Sequence, residues 1–528
     1  MRNILLHKLL YLITSLSLSQ YGFGGQAAGG DNTLPDIVII YADDLGFGDV
    51  GCYNPERGKI PTPHIDSLAG EGIMFTDAHS SSGVCSPSRY TLLTGRYHWR
   101  SKLQKGIVGL WGSPLIPKDR LTIGSLAASA GYHTACIGKW HLGWNWPIPD
   151  GKKNLFATTG YRGRKDLTAT EAHRHAWREA FSQPISGGPN EVGFEYYFGT
   201  DVPNWPPYCF IENDRTVGIP SEYADPDLFR KNQASQQGPA LDGWKLEPIL
   251  PALAEKAEQF ISKQAQSENP FLLYMPLTSP HTPLSVNKEW IGQSGLNLYA
   301  DFVMETDHIV GRVLKAIADH NLTSSTLVIF TSDNGCAPYI NVEQLESLGH
   351  YPSGPLRGYK ADAWEGGHRV PFIVRWPGVV KPGSINSQLV HQADILATIS
   401  DIIGKTLPED AGEDSFSLMP LLRGMDKPVR QHAVSASIHG IPAVRSGHWK
   451  YIPKPGSGGW GKGGDQSQPV QLYNLAENLD ESVNLANVLP DKLQEMQTLL
   501  DRLISQGRST PGKPQKNDVD VITYPPQP

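Results

Sequence analysis

Apolar runs that each end in a turn carrying carboxylate, amide, ammonium or imidazole groups predict an α/β fold. The expected architecture is a large, mostly parallel, mixed sheet sandwiched by helices, followed by a smaller C-terminal α+β subdomain of antiparallel strands and a helix. Composition agrees: 528 residues with 39% apolar and 19% charged side chains suit a globular chain with one large domain and a smaller one. The alternation of strand-like and helix-like segments between residues 36 and 425 is the other sign of a largely parallel sheet.

The chain opens with Arg2 and Lys8, an apolar run from Leu9 to Leu18 and small residues up to Ala28, which reads as a signal peptide over residues 1–28. No later run approaches the roughly 20 apolar residues of a membrane span. The expectation is an exported protein, periplasmic or secreted, without a stable membrane span. Five cysteines (Cys52, Cys85, Cys136, Cys209, Cys336) are too few for a disulfide framework, and spacing does not tell whether any pair forms. A single sequon, Asn321-Leu322-Thr323, fits a bacterial exported chain better than a glycosylated lysosomal one. The net charge of −7 offers no footprint for nucleic acid, so an anionic substrate has to be met by a local cluster of cations.

Four runs carry the chemistry. DIVIIYA (36–42) ends in Asp43 and Asp44, and TLVIFTS (326–332) ends in Asp333 and Asn334. YHTACI (132–137) leads into Lys139 and His141, and FLLYMPL (271–277) leads into His281. Taken singly, each has a plain structural reading: Asp-Asp as a cap or turn, Asp-Asn-Gly as a turn, a lone Lys or His as a surface group. Ligands of open α/β sheets bind beyond the carboxyl ends of strands, so four such ends can converge on one site. Asp43, Asp44, Asp333 and Asn334 are all oxygen donors, which suits a hard cation such as Ca2+ rather than zinc. Lys139 and Lys360 supply positive charge for a tetrahedral anion, and His141 and His281 are candidate proton movers.

The segment SSGVCSPSRYTLLTGR contains Cys85-Ser86-Pro87-Ser88-Arg89. Its plain reading is a half-buried thiol at a helix start, with Ser86 as cap and Pro87 in the first turn. It also resembles the Cys-x-Pro-x-Arg maturation signature of type I, formylglycine-dependent sulfatases of the alkaline phosphatase superfamily. GYHTACIGKWHLG (131–143), LRGYKADAWEGGHRVP (356–371), AVRSGHWKYI (443–452) and LYNLAENLDESVNLA (472–486) resemble further segments of that family, so the likeness spans nearly the whole mature chain. Within the family it is most similar to the arylsulfatase A and N-acetylgalactosamine-6-sulfatase group.

The resemblance implies that Cys85 is oxidised by a maturating enzyme to formylglycine (3-oxoalanine). It implies that this residue joins Asp43, Asp44, Asp333 and Asn334 around one Ca2+. In the family mechanism one hydroxyl of the aldehyde hydrate attacks sulfur and the other later releases sulfate. Arg89 then corresponds to the residue fixing the nucleophile, Lys139 to the bridge between nucleophile and sulfate, and His141 to the base in the release step. His281 and Lys360 correspond to contacts near the leaving oxygen, His281 being the candidate general acid. Lys360 is spaced differently from the simplest form of its motif. The implied substrate is a sulfated carbohydrate of the galactan or galactosaminoglycan type, attacked near a chain end. The alternatives are a phosphate or phosphonate monoester hydrolase of the same superfamily, or a glycan-binding protein whose Cys85 is never matured.

Trp111, Trp144, Trp146 and the run GFEYYFGTDVPNWPPYCF (193–210) are candidates for sugar contact, with core packing as the plain alternative for each. His173 and His175 could meet an anionic glycan, although a solvated face accounts for them equally. Domain limits are placed at 29–425 for the catalytic domain, 426–510 for the C-terminal subdomain and 511–528 for an extended tail. A Gly-rich loop, Gly456 to Gly464, falls inside the subdomain, and a last helix near 491–506 presents Leu493, Met496, Leu500 and Leu503 on one face.

Overall fold

A computed structural model describes residues 34–160, 167–230, 232–464 and 467–523. The leader read over residues 1–28 lies outside them. Among the described residues no helix is long and apolar enough to cross a membrane.

The main sheet has ten strands. From one edge they run Ser384–Asn386, Ile73–Phe75, Phe372–Arg375, Thr326–Ser332, Asp36–Ala42, Phe271–Pro276, His133–Lys139, Tyr196–Thr200, Ile211–Glu212 and Arg215–Thr216. The five from Thr326–Ser332 to Tyr196–Thr200 are mutually parallel. Antiparallel partners flank them, Phe372–Arg375 on one side and Ile211–Glu212 on the other. The four strands that carry the expected chemistry are therefore adjacent, in the centre of the sheet. The His133 strand continues two residues past the apolar run, so Lys139 is its last residue.

Helices cover both faces, which is why Asp36–Ala42 is buried along its whole length and reads as a continuous apolar run. Val38 and Ile40 pack into one cluster with Leu253 and Ala257 of helix Ile249–Gln264 and Val303 and Val310 of helix Leu298–Asp319. On the opposite face Tyr41 lies under Arg89 of helix Cys85–Thr94, and that helix packs against Asp394–Ile402.

The second sheet is antiparallel, in the order His432–Ala436, Pro442–Ser446, Trp449–Ile452, Gln471–Asn474. Helix Pro490–Gln506 lays Met496, Leu500 and Leu503 against Val434, Val444, Tyr451 and Leu472, together with Tyr97 and Trp99 from the segment after helix Cys85–Thr94. Residues 511–523 follow without regular structure, and Asp518 pairs with the buried Arg96 at 3.0 Å. All five cysteines are free thiols.

Beside these apolar contacts, Arg100 grips Asp414 with two parallel bonds, Nε to Oδ2 at 2.8 Å and Nη2 to Oδ1 at 2.9 Å, and also donates to the Leu503 carbonyl at 2.9 Å. Both side chains are fully buried. A buried fork of this kind punishes removal of one partner, because the other charge stays desolvated and unpaired. Arg100→Ala is expected to cost about 3–5 kcal/mol of stability. Arg100→Lys should recover only part of it, since an ammonium cannot make the paired bonds. Urea denaturation of the three proteins checks this, and equal midpoints would refute it.

Candidate active site

Register brings the four strand ends to one level: Ala42 pairs with Ser332, Tyr41 with Pro276 and Tyr274 with Cys136. Past that level the backbones stay tied, Asp43 N–H donating to Ser279 O at 2.9 Å and Asp333 N–H to Ala42 O at 3.0 Å. Gly138 permits the closest approach, since a β-carbon there would stand 1.8 Å from the Pro276 carbonyl oxygen. Asp44 and His141 both adopt left-handed backbone, with φ of 67° and 51°. Such strain in non-glycine residues tends to mark functional turns. Asp44 is held in it by its own N–H donating to Asp333 Oδ1 at 3.0 Å.

Three carboxylates thus meet in the interior, and three cations neutralise them. Lys139 Nζ donates to Asp43 Oδ2 at 2.7 Å, and Lys360 Nζ to Asp44 Oδ2 at 2.6 Å. Arg89 Nη2 donates to Asp333 Oδ2 at 2.8 Å and lies 3.4 Å from Asp43 Oδ1. Burial works to raise the Asp43 carboxyl, but Lys139, His281, Arg89 and Lys360 overcome it and hold the group well below the carboxylate range. Asp333 goes the other way, pushed up to about 7 by burial and by the charge of Asp43. A bound cation would favour the ionised form of all three carboxylates.

The donor set fits a hard cation. Asp43, Asp44, Asp333 and Asn334 offer oxygens within one buried cluster. Asn334 Nδ2 donates to Asp44 Oδ1 and to the Gly335 carbonyl, both at 2.8 Å, while its Oδ1 is buried with no hydrogen-bond partner. A buried amide oxygen without a donor is costly unless it has another use, such as metal ligation. The strand ends that carry Asp43, Asp44, Asp333 and Asn334 hold neither imidazole nor sulfur themselves. Tertiary structure adds both, because Asp43, Asp44, Cys85 and His281 all place ligand atoms within 4.8 Å of one another.

Cys85 opens the helix Cys85–Thr94. The expected cap is not Ser86: Val84 takes the N-cap position without a side-chain bond, and Ser86 Oγ accepts instead from Val108 N–H at 3.1 Å. The helix start is thereby left open toward the site. Cys85 Sγ lies 3.6 Å from Asp43 Oδ1 and 3.9 Å from Lys360 Nζ. Burial pushes its thiol up to about 12 against the pull of Lys139 and Lys360, so it stays protonated and is not poised as a thiolate nucleophile.

The two imidazoles have different partners. His141 Nε2 is 3.2 Å from the Val108 carbonyl, which can only accept, so Nε2 carries the hydrogen and the unpartnered Nδ1 keeps its lone pair. Burial, aided by Lys139, holds His141 well below the usual imidazole range and keeps it neutral. His281 Nε2 is 3.7 Å from Asp44 Oδ2, and burial together with Lys360 lowers its pKa to about 4.

Of the candidates named from the sequence, Asp43, Asp44, Cys85, Arg89, Lys139, His281, Asp333, Asn334 and Lys360 are joined by these contacts, and His141 stands in the turn two residues after Lys139. The aromatic candidates divide. Trp144 is buried, and Trp111 and Trp146 pack with Phe156 and Phe181 in a separate core, so these three do not form a sugar platform. His173 and His175 lie on helix Glu171–Phe181, where His173 closes the capping box at Thr170 and His175 is solvated. Asp201 was missed, although a signal existed, since it directly follows the parallel strand Tyr196–Thr200. Its Oδ1 accepts from His141 N–H and Trp144 Nε1–H, both at 3.2 Å, and so sets the strained turn that aims His141.

The family match and the named relatives define a hydrolase of sulfuric esters. The family model described as Sulfatase matches residues 35–405, and the chain belongs to that family. It is 33% identical to an N-acetylgalactosamine-6-O-sulfatase of Bacteroides thetaiotaomicron over 90% of this chain and 94% of that one. It is 29% identical to human arylsulfatase A over 93% of each. A solved sulfatase structure from Bacteroides thetaiotaomicron, described with the metabolism of multiple glycosaminoglycans, superposes with a TM-score of 0.75 at 31% identity, covering 89% of this chain and 99% of that one.

Lys139→Met removes the closest neutralising partner of Asp43 and leaves a buried carboxylate under-compensated. In chelator-treated protein the variant is expected to lose about 3–5 kcal/mol of stability. A urea midpoint unchanged from the parent would show that Arg89 alone suffices.

Proposed function

We propose that this sulfatase hydrolyses a sulfate ester on a carbohydrate, using formylglycine generated from Cys85 as nucleophile and one bound Ca2+. The observation that carries the reading is the position of Cys85. Its Sγ stands where an oxygen of the matured residue would lie, at an open helix start, among three carboxylates and two ammonium groups. As a thiol it has no evident work there, and as an aldehyde hydrate it would face the metal donors directly.

When bound, Asp43, Asp44, Asp333, Asn334 and the matured residue 85 would hold the cation, which polarises sulfate oxygens and favours ionisation of the nucleophile. Arg89 fixes the carboxylates Asp43 and Asp333 and so sets the frame of the nucleophile. Lys139, paired with Asp43, and Lys360, paired with Asp44, neutralise charge on a bound sulfate and orient it. The free Nδ1 of His141 accepts a proton from the nucleophile's remaining hydroxyl in the release step. His281, the most accessible of these groups at 9% exposure, gives a proton to the departing alkoxide. The negative charge of bound sulfate raises its pKa from the low value of the free site.

The carbohydrate class rests on the named N-acetylgalactosamine-6-O-sulfatase relative. A sulfated galactan or galactosaminoglycan cut near a chain end is the reading retained. Export to the periplasm or beyond, and encounter with a maturating enzyme, belong to the same proposal.

Mass spectrometry of the Cys85 peptide from the native host is expected to show the aldehyde in place of the thiol. Cys85→Ala should keep the circular dichroism of the parent while losing all sulfate release. A thiol in every molecule, or faster turnover of phosphate than of sulfate esters, would overturn the reading.

His281→Ala should slow release from sugar sulfates by roughly 10^2–10^4-fold, because an alkoxide needs its proton. It should hardly affect 4-nitrophenyl sulfate, whose phenolate leaves unaided. Equal losses on both esters would assign His281 to binding instead.

A further inference from the structure

A cavity of about 720 Å3 opens beside the buried cluster, with Asn232, Thr282, Leu284, Leu298, Tyr339 and Trp460 among its walls. Three ties connect it to His281, His141 and Lys360. Thr282 directly follows His281, and Asn232 Nδ2 donates to its Oγ1 at 2.5 Å. The neighbouring Ala234 carbonyl accepts from Trp205 Nε1 at 2.7 Å, and the Trp205 ring lies edge-on to His141 with centroids 5.6 Å apart. Tyr339 shares the loop that follows Asn334, and its phenol interacts with Lys360 and Thr282.

Tyr339 and Trp460 are 49% and 41% exposed, with ring centroids 6.1 Å apart. Large aromatics left open together at a cavity mouth usually mark a binding surface. They are also held rigidly. Gly461 N–H donates to Asp362 Oδ1 at 2.8 Å, and Ala363 N–H to the Ser457 carbonyl at 2.7 Å. Gly459 approaches so closely that a β-carbon there would stand 2.1 Å from the Ala361 carbonyl oxygen. The Gly-rich loop is thus fastened to the segment that carries Lys360, and it delivers Trp460 to the site from the C-terminal sheet. Among the described residues the cation on the cavity wall is Arg230, which is already paired with Glu247 at 2.6 Å. The walls therefore offer ring faces, aliphatic surface and side-chain amides rather than free charge. A pyranose matches this: one face presents C–H bonds for stacking and its edge presents hydroxyl or acetamido groups for amides.

Resting on the sulfatase reading above, we propose that Trp460 and Tyr339, with Asn232, form the subsite for the uncharged hexose or N-acetylhexosamine ring that bears the sulfate. Trp460 supplies the stacking face and Asn232 a hydrogen bond at the ring edge. The aromatic platform comes from the C-terminal part of the chain, while the sulfate-binding groups come from the main sheet.

The test uses calcium-loaded Cys85→Ala protein and isothermal titration with galactose 6-sulfate, N-acetylgalactosamine 6-sulfate, estrone sulfate and inorganic sulfate. Adding Trp460→Ala should weaken the better sugar sulfate at least tenfold and inorganic sulfate less than twofold, with Trp460→Phe recovering most of the loss. The proposal is overturned if sugar sulfates bind no better than inorganic sulfate, if Trp460→Ala weakens both alike or neither, or if estrone sulfate binds more tightly than either sugar. Failure of the sulfatase reading would appear separately, as no sulfate release from any ester by the matured wild-type enzyme.

Discussion

Three carboxylates, Asp43, Asp44 and Asp333, are buried side by side at the ends of two neighbouring strands, and that burial constrains everything around it. Desolvated like charges at this distance cannot coexist without compensation. The chain answers with Arg89 from a helix, Lys139 from a strand end and Lys360 from a distant loop. In the proposed mechanism Lys139 and Lys360 are also the groups that a bound sulfate would meet. The same compensation concentrates positive charge at the strand ends, which is the electrostatic preorganisation that the proposed chemistry needs.

A second buried charge network lies behind the first and fixes the loop that carries Lys360. Glu365 receives Lys450 at 2.9 Å and Arg445 at 3.0 Å, both from the C-terminal sheet, and Lys450 also pairs with Glu481 at 2.8 Å. His79 and His368 join it, their Nδ1 atoms 3.0 Å apart. This network and the Gly-rich loop both anchor the 357–367 segment, so the small sheet contributes to the geometry of the site as well as to stability. The Glu-Gly-Gly stretch next to Lys360 is then understandable: Glu365 takes the charge, and Gly366 and Gly367 let the backbone pass against neighbouring carbonyls where a β-carbon would not fit.

Much of this was legible along the chain. The four central strands announce themselves because both faces of the sheet are covered, so their apolar runs are unbroken, and turn chemistry marks where each ends. The final helix was equally clear from the spacing of Met496, Leu500 and Leu503. Aromatic function was not. Trp111, Trp144 and Trp146 have the composition of a sugar platform and the location of a core, whereas Trp460 sits in a Gly-rich loop without periodicity. Ser86 looked like a cap because its residue type favours that role, yet Val84 takes the position and Ser86 holds Val108 instead. Propensity describes what a residue can do locally, and tertiary contacts choose among those options.

The sequence by itself determined the fold class, the strand ends and the residue types of the cluster, since these follow from hydrophobic periodicity and from the requirement that charge sit at turns. The family likeness at Cys85 lay in the same stretch of letters. Only the tertiary structure decided that His281 places a ligand atom within 4.8 Å of those of Asp43, Asp44 and Cys85, that His141 keeps Nδ1 free, that Asp201 aims it, and that Trp460 crosses from the C-terminal sheet to the cavity mouth. These are contacts between segments far apart in the chain. Their selection depends on register, backbone approach and charge compensation in three dimensions, none of which a local pattern encodes.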